Sequence, residues 1–199
     1  MAGTFSKIPA TAFENLQLNA GVLLDDFDPT TSAIPSGAKI LGATTGGINF
    51  NAAPTFTDFG EDVDNCPKNT KELMRLDSYE VTMSGTFVSI DGATATLLNA
   101  MADKTTASGV DKIVPRTELA NADFKTLWWV GDYSDVNSGA NAGFLAIKLM
   151  NALSTGGFQI QSGDKAKGQF AFTFTGHFSS DAQDTVPYEI YMKPGTSGN

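Results

Sequence analysis

The chain has 199 residues, 41% of them hydrophobic and 18% charged, with 20 glycines, 14 phenylalanines and a formal net charge of −9 at pH 7. That size fits one domain, or one domain with an insertion, and that apolar fraction excludes a disordered chain. The acidity argues against a protein that grips a phosphate backbone, because such a grip needs lysines and arginines to release counterions; the other reading of the charge is solubility alone.

Cys66 is the only cysteine, so no disulfide can close within the chain and no cysteine cluster can hold a metal. The opening MAGTFSKIPATAF lacks the apolar run of a secretory signal. No stretch approaches the roughly 20 apolar residues of a membrane span. These features predict a protein made in a reducing cytoplasm.

In chain order, the first 15 or so residues read as a loose arm. Leu16 to Leu24 (LQLNAGVLL) reads as a first strand, stopped by the acidic, proline-containing DDFDP of Asp25 to Pro29. Residues 30–37 form a loop, and Lys39 to Asn51 forms the next strand. Within it lies GATTGG, which invites comparison with a phosphate loop. A Walker loop needs a lysine and a hydroxyl after its glycines; here Ile48 and Asn49 follow Gly47. Ile48, Phe50 and Ala52 then alternate with Asn49 and Asn51, the period of a half-buried strand, so the glycines predict a bulge. Pro54 is expected to interrupt this strand, with Thr55 to Phe59 resuming it.

Gly60 to Arg75 (GEDVDNCPKNTKELMR) has acidic residues in front, basic ones behind and a central proline. It predicts a long loop, and long loops inside compact domains are usually functional or flexible. Tyr79 to Phe87 is the cleanest strand: Tyr79, Val81, Met83 and Phe87 on one face, Glu80, Thr82, Ser84 and Thr86 on the other. A helix follows over GATATLLNAMADK, with Asp91 as N-cap and Ala93, Leu97, Ala100 and Met101 on one face. Asp111 to Pro115, Phe124 to Gly131, Phe144 to Met150 and Gly157 to Gln161 read as strands, and Lys165 to Gly168 as a basic hairpin turn. Phe170, Phe172, Phe174 and Phe178 then alternate with Ala171, Thr173, Thr175 and His177. Pro187 to Lys193 is a last strand before a fraying PGTSGN.

No catalytic constellation stands out. His177 is the only histidine, GxSxG is absent, and the two S-x-x-K spacings (Ser36 to Lys39, Ser162 to Lys165) lack partner motifs. Asp25, Asp26 and Asp28 miss the calcium-loop pattern at its twelfth place and suit turns better. Glu61, Asp62 and Asp64 suit a solvated loop face. If Trp128 and Trp129 lie in a strand they face opposite ways, so at least one belongs to the core. The other could serve an interface or stack on a sugar.

The segments ENLQLNAGVLLDDFDP, GATTGGINFNAAPTFTDFGEDVDN and ELMRLDSYEVTMSGTFVSID running into ATLLNAMAD, then GFQIQSGDKAKGQFAFTFTGHFS and VPYEIYMK, together cover most of the chain. They resemble the major tail tube proteins of long-tailed bacteriophages with non-contractile tails. The resemblance implies a mainly β fold, a sandwich or barrel with one flanking α-helix, as a single domain over residues 1–199. It implies hexameric rings stacked into a hollow tube, a lumen lined by strands of every subunit, and passage of DNA at ejection without specific binding. The partners implied are further copies, a tail-tip initiator complex, a tape measure and a tail terminator, with no membrane. The location implied is the virion tail, reached from the host cytoplasm where assembly occurs. No catalytic residue, cofactor or metal is implied.

On that reading the contact to the next ring falls to Glu61, Asp62, Asp64, Lys68, Lys71 and Arg75, whose split charges suit head-to-tail docking. The lumen face falls to Glu80, Thr82, Ser84, Thr86, Thr173 and Thr175. Rival readings are a tube subunit of a contractile tail or secretion system, a carbohydrate-binding β-sandwich using Trp128 or Trp129, and a hydrolase built on paired carboxylates.

Overall fold

The computed structural model describes residues 8–9, 11–136, 138–139 and 141–196. The chain is mainly β, with one α-helix flanking a strongly curled sheet. Among the described residues nine strands form in order: β1 (Gln17–Leu24), β2 (Gly42–Asp58), β3 (Met74–Ile90), then α1 (Gly92–Leu98), β4 (Ala102–Ala107), β5 (Val110–Pro115), β6 (Lys125–Tyr133), β7 (Phe144–Ser154), β8 (Phe170–Gly176) and β9 (Tyr188–Lys193).

Seven of these make one antiparallel sheet in the order β1-β6-β7-β8-β3-β2, with β9 also on β7. The long β7 holds it together. Its first half pairs with β9 (Phe144↔Lys193 to Leu149↔Tyr188) and its second half with β8 (Ala152↔Gly176 to Ser154↔Phe174). Two wings result, β1-β6-β7-β9 and β8-β3-β2, and the sheet curls until they face each other. At one end the curl nearly closes: Ile40, just before β2, bridges Leu24, and the Leu41 N–H donates to the Leu23 carbonyl. Such closure removes sheet edges at that end.

The core lies between the wings. Leu23, Val81, Met83, Phe87, Leu127, Trp129, Leu149, Phe172 and Phe174 meet there, with Leu98 entering from α1. Phe87 and Phe172 stack with centroids 4.4 Å apart. Asp91 caps α1 by accepting from the Thr94 N–H, and the helix seals the closed end: Thr94 donates its hydroxyl to the Leu41 carbonyl, and Ser154 donates to the Leu98 carbonyl. A smaller cluster lies on the outside of the first wing, where Phe27 from the loop after β1 packs edge-on against Trp128 and Phe144.

Several expectations are corrected. Pro54 does not interrupt β2: it sits opposite Tyr79, and β2 runs unbroken over 17 residues from Gly42 to Asp58. The reason is position, since β2 is the edge of its wing and an edge strand tolerates a missing N–H. The helix is shorter than its sequence pattern, ending at Leu98. Its buried residues are Thr94 and Leu98, while Ala93 is exposed. Ala100 then takes a positive φ of 61°, and the residues expected to finish the helix start β4 instead. A two-residue Ser108-Gly109 turn, both φ positive, pairs β4 with β5 and competes for that segment.

Gly157 to Gln161 is not a strand; only Gln161 forms an isolated bridge, with Gln169. β8 ends at Gly176, so Phe178 leaves the pattern and is exposed. Gly46 and Gly47 do form the expected bulge. Thr45 pairs with Thr86 and Ile48 with Gly85, leaving both glycines over at φ 76° and 80°. Of the arm expected over residues 1–15, Ala12–Asn15 forms a 3-10 turn and residues 1–7 and 10 lie outside the described residues. Of the closing PGTSGN, residues 197–199 lie outside them too.

Candidate functional site: a polar sheet face and a projecting finger

The wing β8-β3-β2 has two unlike faces because its strands alternate. Val81, Met83, Phe87, Phe172 and Phe174 point into the core. On the opposite face the register lines up polar residues in rows: Thr175–Thr82–Asn51, Thr173–Ser84–Asn49 and Ala171–Thr86–Thr45, with Glu80 opposite Ala53. The six residues assigned to a lumen from the sequence therefore share one face. Asn49, Asn51 and Thr45 join them from β2. Only the pairing register adds these three, although the alternation of Asn49 and Asn51 with Ile48 and Phe50 already hinted at it. Thr155 continues the face, its hydroxyl 2.7 Å from that of Thr175. Within these rows Glu80 is the one charged residue, on a chain of net charge −9.

The hairpin of β2 and β3 outruns the rest of the sheet. Beyond Tyr79, β3 has no partner but β2, because β8 stops at Gly176 opposite Val81. The far part, Phe56 to Asp58 paired with Met74 to Leu76, forms a finger ending in the loop 59–73. The apolar stripe of β2 continues past the core here, so Phe56 and Leu76 are exposed, as are Phe59 and Val63 in the loop.

Asp58 shapes the tip. One carboxylate oxygen accepts from the Gly60 N–H and the other from the Asn69 N–H, both at 2.8 Å. These bonds, the Asn69 one foremost, hold its carboxyl below the ordinary value. Asn65 and Asn69 both turn at positive φ. Cys66 is half-buried beside Thr70, its sulfur 3.6 Å from the hydroxyl.

The expected contact residues separate here. Arg75 lies in β3, not in the loop, and donates to the Glu72 and Met74 carbonyls. Lys68 pairs with Glu61 at 3.3 Å and Lys71 with Glu72 at 3.4 Å, all four largely exposed. Such pairs contribute about 0–1 kcal/mol and can exchange partners at little cost. Asp62 and Asp64 are exposed and make no ion pair among the described residues.

The remaining sequence candidates are structural. Asp25 accepts from the Lys39 N–H, and Asp28 from the Thr30 N–H and the hydroxyls of Thr30 and Thr31; these are turn and loop bonds. The threonine bonds bring the Asp28 carboxyl down to about 2. His177 lies past the end of β8, with Nδ1 3.1 Å from the Asn151 carbonyl oxygen and its ring edge-on to Phe124. Trp128 and Trp129 are 5% and 9% exposed, so both are core and neither offers a sugar-stacking platform. The sheet buries both because Phe27 covers the outer face that Trp128 occupies. The Trp129 indole donates to the Ala20 carbonyl. Beside Trp128, Tyr191 and Lys148 both donate to Glu189, and these bonds, Tyr191's foremost, hold its carboxyl low. Among the described residues no group of three or more His, Cys, Asp or Glu side chains could hold a metal ion, and no helix is long and apolar enough to cross a membrane.

Compared with known proteins, the chain matches no protein-family model and no curated protein.

Proposed function

We propose that the chain is the structural subunit of a phage-type tail tube. Hexameric rings stack into a hollow tube in the virion tail, after synthesis in the host cytoplasm, and DNA passes through the lumen. The observation that carries this reading is the set of polar rows on the outer face of the β8-β3-β2 wing, hydroxyl- and amide-rich with Glu80 as the one charge within them. A wall of this kind hydrates well and offers a phosphate backbone no cation to bind. The acidity of the chain works in the same direction.

The exposed area supports assembly. Two described projections, the finger and the β4–β5 ribbon, are exposed on two faces. A two-stranded ribbon is marginal alone, which suits one that docks on a neighbour. The 17-residue edge of β2 is likewise open to pairing.

Negative-stain electron microscopy of the purified protein over a concentration series tests the reading. Uniform hollow tubes, or rings with a central hole, are expected. Monomers that persist at every concentration and after addition of a tail-tip complex would overturn it.

A further inference from the structure

The first wing carries a cavity of about 610 Å³ between β1, β6 and the loop after β1. A bulge in β1 makes room for it. Leu18 pairs with Asp132 and Val22 with Val130, so Asn19, Ala20 and Gly21 stand opposite Gly131 alone. Asn19 and Gly21 take positive φ there, 67° and 69°. Such a bulge bends the strand and re-aims its side chains. The loop after β1 then returns over the sheet: Phe27 seats on Trp128 and Phe144, and Ser32 accepts from the Lys193 ammonium on β9. Between bulge and loop the space stays open.

The lining is apolar on one side and polar on the other. Val22, Ile34 and Val130 form the apolar side, and Val22 and Ile34 are exposed. Asp132, Asn19 and Thr31 form the polar side. Asn19 donates its amide to one carboxylate oxygen of Asp132. Asp132 is half-buried and makes no other side-chain hydrogen bond and no ion pair among the described residues. No lysine or arginine among the described residues lines the cavity. Lys193 stands two strands from Asp132, roughly 10 Å at the usual strand spacing, and is engaged with Ser32.

What the polar side offers a ligand is lone pairs. Asn19 has turned its amide nitrogen to Asp132, and Thr31 has given its hydroxyl hydrogen to Asp28. The second oxygen of Asp132, the side-chain carbonyl of Asn19 and the oxygen of Thr31 are left as acceptors. An anion would meet a carboxylate and no cation. A neutral hydroxyl would leave the charge of Asp132 uncompensated, and a half-buried charge is costly until it is paired. An ammonium brings three donors, no acceptor and the opposite charge. The volume falls in the range of small-molecule sites, and the apolar side suits an apolar body.

We infer that this cavity binds a small organic cation, a protonated primary amine on an apolar body, with the ammonium on Asp132 and Asn19 and the body against Val22, Ile34 and Val130. The inference goes beyond the tube reading and does not depend on it, because the cavity is complete within one chain.

Isothermal titration calorimetry tests it, on single chains and polymers alike, with three probes of similar shape: 2-phenylethylamine, 2-phenylethanol and phenylacetate. The amine should bind with a dissociation constant of about 1 mM or tighter, reasonable for about nine heavy atoms. The alcohol should bind at least tenfold more weakly, and phenylacetate should give no heat of binding. Asp132→Asn keeps an acceptor for Asn19 but removes the charge, and should weaken amine binding at least tenfold. Asn19→Gly suits the positive φ and leaves the carboxylate in place; it should bind the amine within threefold of the unmodified chain. Ile34→Lys, at an exposed position that tolerates the change, puts a competing cation at the cavity and should weaken amine binding at least tenfold. The ranking of probes and the Ile34→Lys result decide the matter even where Asp132→Asn fails to fold. Equal binding of amine and alcohol, native affinity in Asp132→Asn or Ile34→Lys, or no amine binding up to about 20 mM would overturn the inference and leave the tube reading untouched.

Discussion

Asp58 and Asn69 stand eleven residues apart in sequence, and the carboxylate of the first accepts the backbone N–H of the second at 2.8 Å. With the companion bond from Gly60 this ties the first part of the finger-tip loop, residues 60–69, to one side chain at the end of β2. A loop closed in this way needs less ordering when it docks, and preorganised loops bind with less loss of entropy.

Replacing Asp58 with Ala should therefore loosen the tip without unfolding the sheet. The melting temperature should move by a few degrees at most, since the site is far from the core, while residues 60–72 exchange amide hydrogen faster and are cut sooner by protease. Acid should mimic the change. The folded-state carboxyl titrates below its ordinary value of 3.8, so its contribution is present above that pH and is lost as pH falls through the lower folded value. Lys68, whose charge also favours the ionised form, should shift this loss slightly upward in pH when neutralised. Hydrogen exchange of the loop amides against pH checks both points.

Asp28 makes a sharper acid prediction. Its carboxyl is held at about 2 against an ordinary 3.8, chiefly by the Thr30 hydroxyl, and it organises the loop that brings Phe27 onto Trp128. Asp28→Ala should lower the melting temperature at pH 7. The gap from the unmodified protein should persist down to about pH 4, shrink between 4 and 2, and close below that, because both chains then lack the charged acceptor. Thermal melts at four pH values decide it; a gap independent of pH would show that the charge does not matter there.

Gly21→Ala should cost about 3 kcal/mol, from positive-φ strain and a close clash. Gly21 has φ 69°, and an added Cβ would lie 2.5 Å from the Trp129 indole nitrogen and 2.7 Å from the Val130 carbonyl. Denaturant unfolding followed by tryptophan fluorescence measures the loss. Gly46→Ala, also at positive φ but with open space around it, should cost less.

Phe87→Ala should cost about 4 kcal/mol, the range for a large buried aromatic whose cavity cannot collapse. The ring is fully buried and stacked on Phe172 at 4.4 Å. Calorimetry checks the size of the effect.

Glu80→Lys tests the polar face as a lumen. Tubes of unchanged diameter should still form, since Glu80 makes no hydrogen bond or ion pair among the described residues. They should retain short DNA through a wash at low salt and release it at high salt, the signature of counterion exchange. Unmodified tubes should retain none. Equal retention by both would place Glu80 away from the lumen.

The alternation of Tyr79 to Phe87 and of Phe170 to Phe174 was legible in the sequence because it reflects local geometry: successive side chains leave a strand on opposite faces. The same holds for the Asp91 cap and the Gly46-Gly47 bulge, each set by a residue's own preferences. The six polar residues of the outer face could be named from that alternation alone. What neighbours decide was not legible. Pro54 stays in strand because β2 is an edge, and Trp128 is core because Phe27 reaches it from the loop after β1. Residues 102–104 leave the helix because a two-residue turn offers β4 a partner in β5.

By itself, then, the sequence determined which residues share a face, since this follows from a period of two. The tertiary structure decided what each face meets. Pairing register aligned Asn49 and Asn51 with Ser84 and Thr82, and the early end of β8 left the finger free. The curl of the sheet brought Ile40 and Leu41 back against β1. Contacts between residues distant in sequence depend on register and curvature, and a chain's local preferences leave both open.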